Sequence, residues 1–169
     1  MTGEIKVGLS PGEEMNRRPF SCDRVKIARV PGAPVDVLQR VRLFAELDRG
    51  EVEQIALLFK ERSFPAGETI IKEGSGGAAF YVIETGEVTV TIGGDFRATL
   101  GPGGYFGEIA LLDEGARIAT CTAATDLHVY GLTLWEFRPL VEENGVIGWK
   151  LLQTLAKELR DAEHLLSAR

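Results

Sequence analysis

The stretch from residue 64 to residue 107, FPAGETIIKEGSGGAAFYVIETGEVTVTIGGDFRATLGPGGYFG, limits the fold more than any other part of the chain. Glycines cut it into pieces too short for ordinary helices. Within the pieces Thr, Val, Ile and aromatic residues alternate with polar ones, the period of a strand with one face buried. ETIIK carries turn residues on both sides, and ETGE and GGD are turns between successive strands. Two more strands follow at RIATCTAAT and LHVYGL. Short strands separated by glycine turns point to an antiparallel β jelly-roll barrel (a double-stranded β-helix) over residues 61–132, not to a parallel sheet with crossover helices.

Helices flank this β region, so the class is mainly β with N-terminal helices and a C-terminal helical pair. PVDVLQRVRLF opens with a proline that a first turn tolerates and places Val37, Leu38, Val41 and Phe44 on one side, predicting one helix. Asp48 and Glu51 have capping-box spacing ahead of Val52, Ile55, Ala56 and Phe59, which recur at helical spacing. After the strands, Thr133 and Glu136 repeat the box and open LWEFRPLVEEN. A last helix spans residues 146–166, so the C-terminal helices occupy 133–166. On that helix Gly148, Leu152, Leu155, Leu159, Ala162 and Leu166 are spaced 4, 3, 4, 3, 4, a short heptad seam. Two readings stay open: a helix lying on its own barrel, or the contact of a homodimer. Asn144 and Gly145 interrupt helices readily, and residues 141–148 are the candidate hinge.

Residues 1–33 form an N-terminal tail rich in Pro, Gly and charge, with DRVKIARV a short strand within it. The domain proper runs over 34–169. Nineteen basic residues against 25 acidic ones give a net charge of −6, which opposes the broad positive surface that direct nucleic-acid binding needs. Any anion site is therefore local. The two cysteines, Cys22 and Cys121, provide no disulfide framework and no metal-binding CxxC. No signal peptide and no membrane-length apolar run is present, so the expectation is a cytoplasmic protein with no membrane partner. A metal-dependent enzyme on a small barrel wants several histidines with a carboxylate, whereas this chain has only His128 and His164; the expectation is no metal and no enzyme.

FGEIALLDEGARIAT, residues 106–120, carries the chemistry. Glycines deliver the chain with little to obstruct a ligand, and EIALL suits one turn of helix whose first amides point outward as anion donors. Arg117 adds a planar fork for two phosphate oxygens. Glu108 is an acceptor for a sugar hydroxyl beside the phosphate. The plain alternative is a surface ion pair between Glu108 and Arg117, worth about 0–1 kcal/mol.

FAELDRGEVEQIA, FPAGETIIKEGSGGAAFYVIETGEVTV and LGPGGYFGEIALLDEGARIAT, in that order and spacing, resemble the cyclic nucleotide-binding domain family. The family is shared by the regulatory subunits of cyclic-AMP-dependent kinase, cyclic-nucleotide-gated channels and the catabolite-activator group. The resemblance covers residues 43–166. It implies that Glu108 accepts from the ribose 2′-hydroxyl and that Arg117 pairs with the cyclic phosphate. It also implies that Gly107, Ile109, Ala110 and Ile118 line the anion site, and that Val90, Ile92 and Cys121 form the apolar wall beside the base. A side chain from the final helix caps the base in this family, with Leu155, Leu159 and Arg160 the candidates here. Ile118 departs from the usual Ala, Ser or Thr; lacking a hydroxyl, it favours cyclic AMP over cyclic GMP, and its branched side chain crowds either ligand. Ala78, where aspartate is frequent, bears on a turn.

The implied function is a non-enzymatic sensor that binds cyclic AMP and signals to an effector protein by repositioning its C-terminal helices. The alternatives are a jelly roll whose pocket is lost or repurposed for protein interaction and, behind it, a metal-dependent cupin-like enzyme. Relatives among bacterial regulators place a helix-turn-helix after the long helix. This sequence ends at Arg169, so the expectation is a stand-alone module without one.

Overall fold

The structure is a computed structural model that describes residues 32–168; the tail strand DRVKIARV and Cys22 lie outside the described residues. The described chain starts with helix α1 (Val35–Leu38), a 3-10 turn (Arg42–Phe44) and helix α2 (Arg49–Ala56). The single helix expected over residues 34–44 is therefore broken. Val41 is extended (ψ 121°) between the two pieces. A continuous helix would turn Leu43 about 140° away from Leu38, at 3.6 residues per turn. The break lets Leu38, Val41, Leu43 and Phe44 all be buried. The first capping box forms: Asp48 accepts from the Glu51 amide at 2.9 Å, and Glu51 accepts from the Asp48 amide at 2.8 Å.

Eight strands follow: β1 (Lys60–Phe64), β2 (Thr69–Ile71), β3 (Ala79–Thr85), β4 (Val88–Ile92), β5 (Asp95–Leu100), β6 (Tyr105–Phe106), β7 (Thr120–Ala123) and β8 (Leu127–Thr133). They make two antiparallel four-stranded sheets, ordered β1-β8-β3-β6 and β2-β7-β4-β5. Strand order pairs first with last and works inward, the wrapping of a jelly roll. Instead of one closed barrel, the described ladders form two facing sheets. Strands β1 and β6 were not expected. Strand β1 carries Lys60, Glu61 and Arg62 at a sheet edge, where charge discourages pairing with other chains and hides the period-2 signal.

Three layers result, because the central strands of the first sheet, β3 and β8, are buried on both faces. Phe80 and Val82 of β3, with Tyr130 and Leu132 of β8, face the helices; Ile83 and Val129 face the second sheet. Phe80 is the hub on the helical side, with rings of Phe44 at 6.1 Å and Phe59 at 5.7 Å edge-on to it. Helix α3 (Leu134–Glu143) opens with Thr133 donating through its hydroxyl to Glu136 at 2.9 Å. It breaks at Asn144, whose side chain accepts from the Ile147 amide and starts helix α4 (Gly145–Ser167).

Helix α4 packs through Ile147, Leu151 and Thr154. The heptad seam is not the face that packs on the N-terminal 3-10 turn and α3: Leu152, Leu159 and Leu166 are exposed. Among the described residues no helix is long and apolar enough to cross a membrane.

Two glycines with nearly the same left-handed backbone test how tightly the turns are packed. A Cβ at Gly86 (φ 91°) would meet the Asp126 carbonyl oxygen at 2.4 Å, whereas one at Gly67 (φ 88°) would meet nothing within 4 Å. Gly67→Ala should cost about 1–2 kcal/mol for the left-handed conformation. Gly86→Ala adds overpacking of about 1–3 kcal/mol. Urea denaturation should rank Gly86→Ala clearly below Gly67→Ala; equal midpoints would contradict the close approach of the two turns.

Candidate functional site

A cavity of about 310 Å³ opens between the second sheet and the segment from Gly107 to Ala119. Its floor is one row of apolar side chains running straight across four strands. Ala98 of β5 opposes Val90 of β4, Val90 opposes Cys121 of β7, and Cys121 opposes Ile71 of β2. Cross-strand neighbours on one face are about 5 Å apart, so the row makes a continuous flat surface. All four residues line the cavity.

The opposite wall begins at Gly107, left-handed at φ 81°, which starts a 3-10 turn, Glu108–Leu111. A Cβ at Gly107 would stand 2.8 Å from the Ala79 carbonyl oxygen and 3.0 Å from Arg117 Nη1. Only glycine fits there. Arg117 is fixed first through its backbone: its amide donates to Ser75 at 2.9 Å and its carbonyl accepts from Gly74 at 2.8 Å. Its guanidinium then donates from Nη2 to the Ala79 carbonyl at 2.8 Å and from Nη1 to the Gly107 carbonyl at 3.4 Å. Gly77 leaves room on the other side, since a Cβ there would lie 3.2 Å from Arg117 Nε.

Among the described residues Glu108 and Arg117 form no ion pair with each other, so the plain surface-pair reading does not hold. Burial pulls the Arg117 guanidinium below its usual range, against the opposing pull of Tyr81, Cys121 and Glu108. A half-buried cation held by neutral carbonyls keeps its full charge for an incoming anion.

The profile of the cyclic nucleotide-binding domain family matches residues 61–144. A cyclic AMP receptor protein of Thermus thermophilus is 35% identical over 126 residues, which cover 72% of this chain and 58% of the relative. The crystal structure of the N-terminal domain of a transcriptional regulator from Streptomyces coelicolor A3(2) has a TM-score of 0.69 at 30% identity, covering 75% of this chain and 94% of that one. The chain belongs to the cyclic nucleotide-binding domain family. A further similar structure, the Thermus thermophilus catabolite activator protein, has a TM-score of 0.60 at 34% identity over 75% of this chain and 62% of its own. This chain thus spans less than two thirds of the Thermus relatives.

In this cyclic nucleotide-binding domain the cavity brings together Val90, Gly107, Glu108, Ile109, Ala110, Arg117, Ile118 and Cys121. The Ala110 amide already donates to the Gly107 carbonyl at 3.2 Å, closing the turn. Ile118 lines the mouth and is 66% exposed, so it borders the cavity without plugging it. Ile92 does not line the cavity: the β4–β5 register shifts just past Val90, leaving Ile92 opposite Asp95 at the end of the hairpin. Leu155, Leu159 and Arg160 are also absent from the lining; Leu155 borders a separate cleft behind the 3-10 turn.

Sequence reasoning passed over Ile71, Ala98, Leu100 and Asp113, which do line the cavity. The alternation of Ala98 and Leu100 signalled a shared face, but their place beside Val90 follows only from strand register. His128 stands apart on β8, its Nδ1 2.6 Å from Glu84 Oε2, and His164 lies on the exposed end of α4.

Cys121 is the one nucleophilic side chain in the cavity floor among the described residues, and burial pushes its thiol from 9.0 up to about 11. Raised in the folded state, the thiol contributes stability present below 9.0 and lost as pH rises through about 11. With Cys22 replaced by serine, iodoacetamide should therefore label Cys121 far more slowly than a free cysteine at pH 7.5, and quickly only as pH approaches 11. Rapid labelling at neutral pH would place the thiol outside the apolar floor.

Proposed function

We propose that this domain is a sensor for a 3′,5′-cyclic nucleotide, with cyclic AMP as the preferred ligand and cyclic GMP the weaker one. One observation carries the reading: the Arg117 guanidinium, the Glu108 carboxylate and the flat row Ile71–Cys121–Val90–Ala98 border the same cavity. Arg117 pairs with the cyclic phosphate through N–H groups it does not spend on Ala79 and Gly107. Glu108 accepts from the ribose 2′-hydroxyl, and the base lies on the apolar row. Gly107, Ile109 and Ala110 enclose the phosphate. Ile118 brings no hydroxyl to the base, which favours adenine. The name of the Thermus relative, a cyclic AMP receptor protein, supports the same ligand.

The module acts by binding and not by catalysis, and it hands its signal to an effector protein in the cytoplasm through the helices after Thr133. A ligand shifts such helices only by binding one arrangement better than the other. The exposed seam Leu152, Leu159 and Leu166 supports a homodimer through α4. Light scattering across a concentration series tests it: Leu159→Glu should leave a monomer where the wild type pairs.

Titration calorimetry with cyclic AMP should give a single site, and with cyclic GMP a weaker one. Arg117→Lys keeps the charge but loses the planar fork, and should cost about 2–5 kcal/mol of binding. Full affinity in that variant would put the phosphate elsewhere. Absence of heat with either nucleotide would turn the assignment to a repurposed jelly roll.

A further inference from the structure

Helix α4 is held along its length by two unlike kinds of contact. Its buried side chains, Ile147, Leu151 and Thr154, all fall within the first ten residues. Beyond Thr154 no described α4 side chain is buried. Charge ties the helix in both halves, through Lys150 in the packed half and through Lys157 and Glu158 beyond Thr154. Lys150 Nζ lies 2.8 and 2.6 Å from the two carboxylate oxygens of Glu51, Lys157 Nζ lies 2.6 Å from Glu46, and Glu158 lies 3.4 Å from Arg42 Nε. The three partners, the donor Arg42 and the acceptors Glu46 and Glu51, follow one another along the N-terminal helical segment, at the 3-10 turn, the loop after it and the first turn of α2.

The same two residues, Arg42 and Glu158, line an open cleft of about 550 Å³. Ile109 and Leu112 of the Gly107-started turn form one wall, and Leu155 and Leu165 of α4 form the other. Ile109 is 51% exposed and Leu112 42%, so the turn that borders the ligand cavity presents an unmatched apolar surface toward α4. Glu108, Ile109 and Asp113 border both the cavity and the cleft. Closing the cleft would bury apolar surface on both walls, and the distal half of α4 has no buried anchor to oppose it.

We propose that the ladder Lys157–Glu46 and Glu158–Arg42 is a latch that holds the distal half of α4 away from the ligand-binding turn and so opposes nucleotide binding. The proposal rests on the nucleotide-binding reading above and adds its regulation: the ligand must release Lys157 and Glu158 before α4 meets Ile109 and Leu112. The Lys157–Glu46 and Glu158–Arg42 pairs are largely exposed, and such pairs are weak singly and screened by salt, which suits a latch that a ligand has to open.

The test compares the wild type with the Lys157→Gln/Glu158→Gln double variant, which leaves net charge and the cavity unchanged, and with the reversed pair Glu46→Lys/Lys157→Glu. Hydrogen exchange of residues 155–168 is measured without nucleotide, at low salt and in about 1 M NaCl, where the screening length falls to about 3 Å. The double variant should exchange about two- to fivefold faster per pair lost, and added salt should speed the wild type but not the variant. Calorimetry should show cyclic AMP binding the double variant more tightly by a similar factor, and the reversed pair should restore both readings. Unaltered exchange in the double variant overturns the latch, as does faster exchange with wild-type affinity for cyclic AMP. If neither protein binds cyclic AMP, the sensor reading fails, and the exchange measurements alone decide whether the ladder holds α4.

Discussion

The structure around the cavity depends on where the Arg117 guanidinium is put and on what holds it. Its N–H groups donate to the carbonyls of Ala79, at the start of β3, and Gly107, just after β6, two strands that pair through Tyr81 and Phe106. Its backbone is bonded to Gly74 and Ser75. One side chain thus joins three segments that are distant in sequence, and Gly77 and Gly107 make the approach close enough. A carboxylate in place of those carbonyls would satisfy the cation and abolish its attraction for a ligand. Neutral acceptors orient it and leave the charge unspent.

In the proposed function, the layering gives a ligand event beside the second sheet one route to the helices. The central strands β3 and β8 of the first sheet are buried on both faces and yield little, with Phe80 packed against Phe44 and Phe59 on one side and Ile83 and Val129 on the other. The 3-10 turn after Gly107 bridges the layers instead. Ala110 and Leu111 are buried while Ile109 and Leu112 stay exposed. The turn is anchored by one face and unmatched on the other, and α4 lies across a cleft from it, so the proposed repacking has room here.

Local patterns carried much of this into the sequence. The Asp48–Glu51 capping box, the alternating strands and the cassette with Glu108 and Arg117 are all determined by residues within a few positions of one another. What escaped depends on distant partners. Strand β1 is charged because it is an edge, so its alternation is hidden. The break at Val41 answers to a core that must take Leu43 and Phe44 together. The place of Ile71 and Ala98 in the cavity floor, and the exclusion of Ile92, follow from ladder register and a bulge. On α4 the leucines advertised a seam, yet the buried face includes Thr154, whose hydroxyl donates to the Lys150 carbonyl at 3.2 Å and so needs no outside partner.

The charge of the cavity also restricts its ligand. Arg117 is flanked by Glu108 and Asp113, both bordering the same space, in a chain of net charge −6. Long-range attraction does little to gather anions here, so in the proposed reading affinity comes from contact: the oriented guanidinium, hydroxyl donors given to Glu108, and apolar area laid on the Ile71–Ala98 row. A ligand with one negative charge balances the one guanidinium while its hydroxyl and ring use the remaining surfaces. Each further phosphate charge would meet a carboxylate with no second cation in the lining among the described residues, which costs more the more the site excludes water. In the proposed reading, the two acids that look misplaced beside an anion site narrow it toward a phosphodiester monoanion carrying a free sugar hydroxyl.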